Sequence, residues 1–334
     1  MQCDGHYMLI DGGNAKKSNL IYSFLKNRSI QYIDVMVATH ADADHIGGLS
    51  GALNYATVGT AYCSVTEGDT KTFNNFKKYL SSQGKTITVP GPGDSFSLGS
   101  ATVTVLGPIN KDSNDNNNSI VLRIVYGNTS FLFTGDAQQE EESSIIASGR
   151  TLKSTVLKVA HHGSDSSTGY QFLREVIPEY AVISVGADNS YGHPTENVLS
   201  RLRDAGANVF RTDMQGDITC VSDGNAVYFS TSKNFDANTL ADAGAGQKSS
   251  DTEILYFDSS FTPSPDASDR SNISSVQAPA AEAQTYILNT NTNRFHYPGC
   301  KSVNSMKEKN KQIFTGTRDG VIAMGYNPCG NCNP

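Results

Sequence analysis

The residues of this sequence that could do metal chemistry begin with a short run of histidines and aspartates. His40, Asp42, Asp44 and His45 fall within six positions, directly after an apolar segment, and the two intervening residues are alanines. Imidazole nitrogens and carboxylate oxygens are common ligands for divalent cations, and small spacers allow a tight turn that directs several side chains to one point. Taken alone, the run could also be a polar loop that caps the next helix, with Asp44 as the N-cap.

Two further apolar segments end in residues of the same types. Residues 130–134 lead through one glycine into Asp136, and residues 156–160 lead into His161 and His162. Open α/β folds place their sites at the carboxyl ends of strands, so three such ends can converge on one centre. The sequence therefore predicts a metal site built from three strand ends.

The elements that must position these residues alternate along the first 233 residues. Runs rich in Val, Ile, Tyr, Phe and Thr predict strands, and apolar residues at helical spacing predict helices between them. This mixture predicts an α/β sandwich with sheets inside and helices outside. The predicted strands are 7–10, 32–38, 86–89, 101–106, 120–126, 130–134, 156–160, 181–185, 209–211, 218–222 and 226–230. The predicted helices are 19–26, 46–55, 72–83, 170–177 and 195–205.

Composition excludes several classes of protein. Of the 334 residues 37% are hydrophobic, which is enough for a core and excludes wholesale disorder. No apolar stretch approaches 18 residues, so we expect no membrane span in this chain, and the first six residues lack the features of a signal peptide. A Gly-x-Ser-x-Gly motif is absent from the sequence, so nothing indicates a serine nucleophile.

The chain is predicted to have three segments. Residues 1–233 form the α/β domain. Residues 234–283 are rich in Ala, Ser and Pro, hold eight acids and two bases, and have one apolar island at 254–257, which is typical of an acidic linker. Residues 284–334 hold six bases and two acids and begin a compact Cys-containing module.

The C-terminal segment holds a second set of possible metal ligands. His296 and Cys300 form one close pair, and Cys329 and Cys332 form another. Two close Cys/His pairs are typical of a structural zinc site. A Cys329–Cys332 disulfide or free thiols are the alternatives.

The order of the motifs carries a family resemblance. His-x-Asp-x-Asp-His at 40–45, Phe-Thr-Gly-Asp at 133–136 and His-His-Gly-Ser at 161–164 resemble the metallo-β-lactamase superfamily. More narrowly they resemble the hydrolase domain of the ComEC/Rec2 DNA-uptake proteins and their stand-alone relatives, in which Asp takes the place at 42 of a second His. Further matching pieces are Asp11–Asn14, Asn117–Ser119, Tyr191–Pro194 and Arg211–Asp213.

The resemblance covers about residues 5–230 and implies an αββα sandwich. The family has a strand with a Gly-Asp turn just upstream of the position of Cys3, and this chain starts after it. We therefore expect one sheet to be a strand short.

The resemblance also implies roles for the candidate residues. His40 and Asp42 would hold one divalent cation, with a third ligand position near Asn118, which could instead cap its own loop. Asp44 and His45 would hold a second cation.

One of two neighbouring histidines would complete this second set, and Asp136 would bridge the two cations. His161 is favoured because it continues the inward phase of the strand before it, and His162 is the alternative. Lys158 is expected to point away from the site.

Asp44 and His193 are the candidate catalytic residues. His193 would lie outside the ligand shell, where it could bind substrate or donate a proton to the leaving group. Its alternative role is that of a structural histidine beside Pro194.

The C-terminal segment resembles the metal-binding module of the Ada DNA-repair proteins. Residues 294–300 and 328–332 carry this resemblance, and His296 stands where the first ligand is usually Cys. It implies one structural Zn²⁺, and the basic charge of the segment is compatible with a contact to nucleic acid.

These expectations combine into a metal-dependent hydrolase. A divalent cation lowers the pKa of bound water to about 7, and two cations about 3.5–4 Å apart stabilise attacking and leaving oxygens. The metal-bound hydroxide would act on a phosphodiester, with DNA as the leading substrate. Asp42 makes the site harder than an all-His site and shifts preference towards Mn²⁺, while Zn²⁺ also fits.

Two other functions remain open on the sequence. One is hydrolysis of another ester, such as a cell-wall phosphorylcholine ester or a lactone. The other is a non-catalytic, DNA-binding competence accessory protein. Because the uptake proteins carry this domain outside the membrane, the resemblance implies an extracellular or cell-surface location in a bacterium.

Overall fold

The computed structural model describes residues 1–241 and 284–334, except 317, 325 and 333. The chain divides into two compact units, Met1–Ala243 and Gly244–Pro334, which are described separately. Most of the predicted linker, including its apolar island at 254–257, lies outside the described residues.

The first sheet of the larger unit carries the His/Asp run at the end of its central strand. Its strands, in spatial order, are β1 (Gln2–Cys3), β2 (His6–Ile10), β3 (Tyr32–Ala38), β4 (Thr57–Cys63) and β5 (Ile87–Thr88). Strand β3 is parallel to both neighbours, and its last four residues are buried because both faces of the sheet are covered. β1 is only two residues long and lies at the edge, and the expectation that this sheet is one strand short stays a prediction.

The second sheet mixes antiparallel and parallel strands. In chain order its strands are β6 (Ser95–Leu98), β7 (Ala101–Gly107), β8 (Val121–Tyr126), β9 (Thr129–Phe133), β10 (Val156–Lys158), β11 (Tyr180–Ile183) and β12 (Asn208–Arg211). β6 to β9 form an antiparallel meander, and β9 to β12 are parallel. The carboxyl ends of β9 and β10 therefore lie side by side.

Helices of the larger unit connect and cover the sheets. The α-helices are α1 (Ser18–Asn27), α2 (Ala43–Ile46), α3 (Leu49–Leu53), α4 (Lys71–Ser82), α5 (Gln139–Ala147), α6 (Tyr170–Val176), α7 (Glu196–Asp204) and α8 (Thr212–Gln215). Short 3₁₀ turns occupy Ala15–Lys17, Asp115–Asn118 and Ala160–Gly163. Thr70 caps α4 by accepting a hydrogen bond from the backbone N–H of Phe73.

Three buried apolar layers confirm the predicted αββα sandwich. The middle layer joins residues of both sheets, such as Val37 and Val103. The outer face of the first sheet packs on helices through residues such as Phe73, and that of the second sheet through residues such as Phe172. Burying apolar faces on both sides of each sheet is the main source of stability here.

The larger unit extends beyond the predicted boundary at 233. After the two-stranded sheet of β13 (Ile218–Ser222) and β14 (Val227–Thr231), the chain packs back on the body. The buried guanidinium of Arg211 donates to the carbonyl oxygens of Thr239 and Ala241 at 3.1 Å each. Residues 234–241 therefore belong to this unit and not to a linker.

The C-terminal unit contains a small four-stranded sheet. Its elements are β15 (Gln284–Asn289), β16 (Arg294–His296), α9 (Lys301–Asn304), a 3₁₀ turn (Glu308–Asn310), β17 (Lys311–Gly316), α10 (Arg318–Ala323) and β18 (Asn327–Pro328). Tyr286, Leu288 and Phe295 are buried between its elements. In the described parts of both units, no helix has the length and apolarity needed to cross a bilayer.

Candidate metal centre

Three strand ends meet at one point between the two sheets. β3 leads into the His/Asp run, β9 leads into Asp136, and β10 leads into the histidine pair. The backbone N–H of Ile120 donates to the carbonyl oxygen of Thr39 at 2.7 Å, which ties the end of β3 to the second sheet. Gly135 has φ +52°, and a Cβ there would lie 2.8 Å from the Ser119 side chain, so only glycine fits this approach.

The first ligand cluster consists of His40, His45 and Asp136. One ligand atom of each lies within 4.8 Å of the others, and all three side chains are buried. His45 Nε2 lies 3.3 Å from a carboxylate oxygen of Asp136. The spacing suits a cation held between nitrogen and oxygen ligands.

A second cluster adjoins the first and contains Asp44, His45 and His162. His162 Nε2 lies 3.5 Å from Asp44 Oδ2 and 3.6 Å from Asp136 Oδ2. Since His45 belongs to both clusters and Asp136 reaches both, the geometry provides two adjoining positions for a cation.

The inward atoms of these side chains have no hydrogen-bond partner. The Nε2 atoms of His40, His45 and His162 and one oxygen of Asp136 are buried and unpaired. Leaving a polar atom buried and unpaired costs about 1–3 kcal/mol, so four at one point form an unstable arrangement without a further group. Nitrogen and carboxylate oxygen atoms fit a divalent cation as that group.

Hydrogen bonds behind the ligands orient two of the histidines. His45 Nδ1 donates to the Asp11 carboxylate at 2.8 Å, and His162 Nδ1 donates to the Ser184 carbonyl oxygen at 2.6 Å. Each bond turns Nε2 towards the cluster, as is usual for metal-binding histidines. Thr39 also donates to Asp11, through its N–H at 2.8 Å and its hydroxyl at 2.9 Å.

Sequence reasoning assigned no role to Asp11. The available signal was the position of Asp11 directly after a predicted strand, where the other candidate residues also lie. Two glycines follow Asp11. Its carboxylate does not face the cluster itself but fixes the tautomer of His45.

The electrostatics of the site favour positive charge. Burial lowers the pKa of His45, but the carboxylates of Asp11 and Asp136 outweigh burial and raise it to about 10. The neighbouring His162 imidazole lowers the pKa of Asp44 to about 2. Burial would raise the pKa of Asp136, yet the contact with His45 holds it well below its usual value. The carboxylates are therefore ionised at neutral pH and would attract a divalent cation.

The structure differs from the expectation that His161 is the inward histidine. Both histidines have positive φ, 48° for His161 and 54° for His162, a strained conformation that residues adopt mainly at functional sites. The turn ends the alternation of β10, so strand phase no longer decides which side chain points inward. His162 joins the cluster, whereas His161 Nε2 remains 3.8 Å from Asp136.

Asn118 does not face the cluster. Its amide oxygen accepts from the backbone N–H of Asp112, and its amide nitrogen donates to the carbonyl oxygen of Asp112, both at 2.9 Å. The loop-capping alternative is therefore the observed one. The loop uses the Asn118 amide on both sides, and a cation ligand position near Asn118 stays a prediction.

Asp42 stands at the rim of the first cluster. Its carboxylate oxygen is 3.6 Å from His40 Nε2, and the neighbouring His40 imidazole lowers the pKa of Asp42. The side chain is 48% exposed, so it can approach a cation beside His40 from the solvent side.

Lys158 does not point away from the site as expected. Its ammonium is desolvated, which lowers its pKa, and the carboxylates of Asp136 and Asp11 counteract this effect. Its Nζ donates to the carbonyl oxygen of Val159 at 3.0 Å. A buried cationic group thus accompanies the ionised carboxylates.

His193 lies outside both clusters, as expected. Its ring is 5.7 Å from that of His161, centroid to centroid. Burial and the neighbouring His161 lower the pKa of His193, so its imidazole is neutral at neutral pH and has one N–H to donate.

The smaller unit contains a third cluster, which involves all four residues predicted from its sequence. Ligand atoms of His296, Cys300, Cys329 and Cys332 lie within 4.8 Å of one another. The cysteines are not disulfide-bonded, and both ring nitrogens of His296 are buried without a partner. Three thiols and an unpaired imidazole nitrogen match the donor set of a tetrahedral zinc site. The resemblance to the Ada module stays a prediction.

Comparison with known families defines the class of this protein. The model of the metallo-β-lactamase superfamily matches residues 3–187, more than half of the chain. The chain therefore belongs to the metallo-β-lactamase superfamily, whose members bind divalent metal ions, typically zinc, and it is a hydrolase of that class.

Its sequence relatives define the branch. The chain is 32% identical over 200 residues to ComE operon protein 3 of Bacillus subtilis, which covers 60% of this chain and 26% of the relative. It is 33% identical over 214 residues to competence protein ComA of Neisseria gonorrhoeae, and this match covers 63% of this chain and 28% of the relative. The chain is thus similar to ComEC/Rec2-type proteins and spans about a quarter of the length of these curated relatives.

Solved structures of the same fold are more distant. The metallo-β-lactamase fold protein YhfI from Bacillus subtilis is 15% identical, with a TM-score of 0.40, and the match covers 63% of this chain and 85% of that one. A diphosphatase of the PhnP family is 17% identical, with a TM-score of 0.35, and the match covers 54% of this chain and 69% of that one.

Proposed function

We propose that this chain is a metal-dependent phosphodiesterase whose substrate is DNA. The observation that carries the proposal is the convergence of four buried, unpaired ligand atoms from His40, His45, His162 and Asp136. An intact donor set argues against a non-catalytic accessory role, because a site that had lost its activity would be free to lose ligands.

The two clusters divide the ligands between two cations. His40 and Asp42 would hold one cation, and Asp44, His45 and His162 would hold the other. The Asp136 carboxylate would neutralise part of the charge of both. Bound there, the cations supply Lewis acidity and a nucleophile at neutral pH.

The remaining polar residues act on the substrate and its protons. His193, neutral at neutral pH, donates its N–H to an oxygen of the phosphodiester or of the leaving group. Asp44 is ionised, with a pKa of about 2, and would accept a hydrogen bond from the attacking water. Both residues are within the reach of a substrate that enters from the exposed side of the cluster.

The choice of DNA rests on the relatives. Their names, among them competence protein ComA and recombination protein 2, associate these relatives with competence and recombination. The first 241 residues are acidic overall, so a long polyanion would need the cations or a local basic surface for binding.

Metal analysis combined with turnover tests the proposal. The full chain, stripped and then loaded with Mn²⁺ or Zn²⁺, is assayed on bis-p-nitrophenyl phosphate and on single-stranded DNA. We expect two cations in the larger unit and metal-dependent cleavage of both substrates. Hydrolysis of a phosphorylcholine ester or a lactone without cleavage of either diester would contradict the proposal.

A further inference from the structure

Tyr191 is an aromatic side chain held in solvent beside the metal centre. It is 80% exposed, the highest value among the large hydrophobic residues that the structure describes. One face of its ring stacks on His193, with centroids 5.7 Å apart and planes 24° from parallel. The other face has no aromatic neighbour among the described residues.

The loop that carries Tyr191 is fixed at its base. The amide nitrogen of Asn189 donates to the carbonyl oxygens of Gly186 and His193 at 2.8 Å each. Its amide oxygen accepts from the backbone N–H of His193 at 2.9 Å. Gly192 has φ +70°, which allows the tight turn between Tyr191 and His193. The exposed ring thus projects from a hydrogen-bonded turn.

A row of three rings connects the metal centre to this exposed position. His161 lies 3.8 Å from the Asp136 carboxylate, and its ring is 5.7 Å from that of His193. His193 in turn stacks on Tyr191. A group attached to a phosphate at the cluster would therefore pass His193 and reach Tyr191.

We propose that Tyr191 is a specificity-determining residue that stacks on the nucleobase next to the scissile phosphate. The inference rests on the proposed function and adds the part of the substrate that the metal centre itself does not recognise. Every nucleobase has a π face, so stacking on Tyr191 selects for an aromatic base without selecting its sequence. Because bases in a duplex already stack on each other, an unpaired strand is the substrate that fits.

A cycle of two changes, one in the enzyme and one in the substrate, isolates this contact. The substrates are a single-stranded oligothymidylate and an oligomer of the same length made of abasic residues, which keeps every phosphate. With the wild-type chain we expect kcat/KM to be roughly 5- to 150-fold higher for oligothymidylate, the range that one base–aromatic stack provides.

Two variants of Tyr191 are expected to differ in their preference for oligothymidylate. Tyr191→Ala should lower kcat/KM on oligothymidylate to the abasic level and leave the abasic substrate unchanged, whereas Tyr191→Phe should retain the preference. Tyr228→Ala, an exposed tyrosine of β14 that contributes nothing to the centre, is the matched control and should behave as wild type. Equal losses on both substrates for Tyr191→Ala, or no preference in the wild type, would overturn the assignment.

Failure of the proposed function has a different signature. If the wild type cleaves neither oligomer with Mn²⁺ or Zn²⁺, DNA hydrolysis is wrong. Fluorescence anisotropy with labelled forms of both oligomers then tests stacking alone. Tighter binding of oligothymidylate that is lost in Tyr191→Ala supports the contact, and equal binding of both oligomers refutes it.

Discussion

Asp136 is the residue on which both ligand clusters depend. Its buried carboxylate lies 3.3 Å from His45 Nε2, 3.6 Å from His162 Nε2 and 3.8 Å from His161 Nε2. A single negative charge thus holds three imidazoles in place, and Asp11 supports the arrangement from behind through His45.

We expect Asp136→Asn, which keeps the shape and removes the charge, to lower diester turnover by more than 100-fold and to reduce bound metal. Asp11→Asn should have a smaller effect, about 10- to 100-fold, because it acts only through the orientation of His45. Turnover and metal content by mass spectrometry measure both effects, and circular dichroism checks that each variant is folded. An Asp136→Asn variant with the metal content of the wild type and near-wild-type turnover would show that Asp136 has no bridging role.

At the scale of elements, the loop after the histidine pair is held by two buried charges of opposite sign. Glu142 on α5 accepts from the backbone N–H groups of Thr168 and Gly169 at the start of α6. Arg201 on α7 donates to the carbonyl oxygen of Ser167 at 2.8 Å. The same loop carries Ser166, whose hydroxyl is 3.4 Å from a ring nitrogen of His161. Helix packing therefore controls the edge of the metal centre.

The burial of Glu142 makes stability depend on pH in a defined direction. Burial raises the pKa of Glu142 from 4.5 to about 7. Between these pH values the folded chain binds more protons than the unfolded chain. The stabilising contribution of Glu142 to the free energy of unfolding is therefore complete below pH 4.5 and is lost as pH rises through 7.

The variant Glu142→Gln does not titrate and reveals this effect. From pH 4.5 to pH 8 we expect the free energy of unfolding of the wild type to fall by about 3 kcal/mol relative to the variant, since one pKa unit corresponds to about 1.4 kcal/mol. Urea unfolding of both proteins, monitored by circular dichroism, measures the difference between their free energies of unfolding. Other titrating groups are common to both proteins, so their effects cancel in this difference. A difference that is constant or grows with pH would contradict the expectation.

At the scale of the whole molecule, two units have separate sources of stability. The larger unit buries three apolar layers, whereas residues 284–334 are about 50 residues, a size at which a core alone is marginal. In zinc-finger peptides, metal binding supplies about 10–16 kcal/mol of folding free energy. The four-residue Cys/His cluster is placed to do the same in the smaller unit.

We therefore expect Cys329→Ser to remove one Zn²⁺ per chain and to unfold the smaller unit, as followed by hydrogen exchange of the β15 amides. Hydrolysis of bis-p-nitrophenyl phosphate should stay within twofold of wild type, because every ligand of the hydrolytic centre belongs to the larger unit. Cys220→Ser, a change of the same type outside any cluster in the described residues, is the control. Unchanged zinc content or unchanged β15 protection in Cys329→Ser would rule out the structural-zinc role.

The sequence by itself determined the strand ends and their chemistry. β3 (32–38) and β13 (218–222) were predicted with the observed bounds, because apolar runs ending in turn residues have a local signature. β4 and α5 were missed. Strand β4 contains Gly59 and is buried by neighbouring strands. Helix α5 begins with Gln-Glu-Glu-Glu and has a weak apolar face. Both elements therefore depend on packing and have no clear local pattern.

Only the tertiary structure decided how the candidate residues meet. β3 lies in one sheet and β9 and β10 in the other, so the distance between His45 and Asp136 depends on the packing of the two sheets. The positive φ of His161 and His162 turned the second histidine inward, and the loop around Asp112 turned Asn118 away. Sequence patterns report the period of a regular element, whereas these positions depend on irregular backbone whose conformation is set by distant contacts.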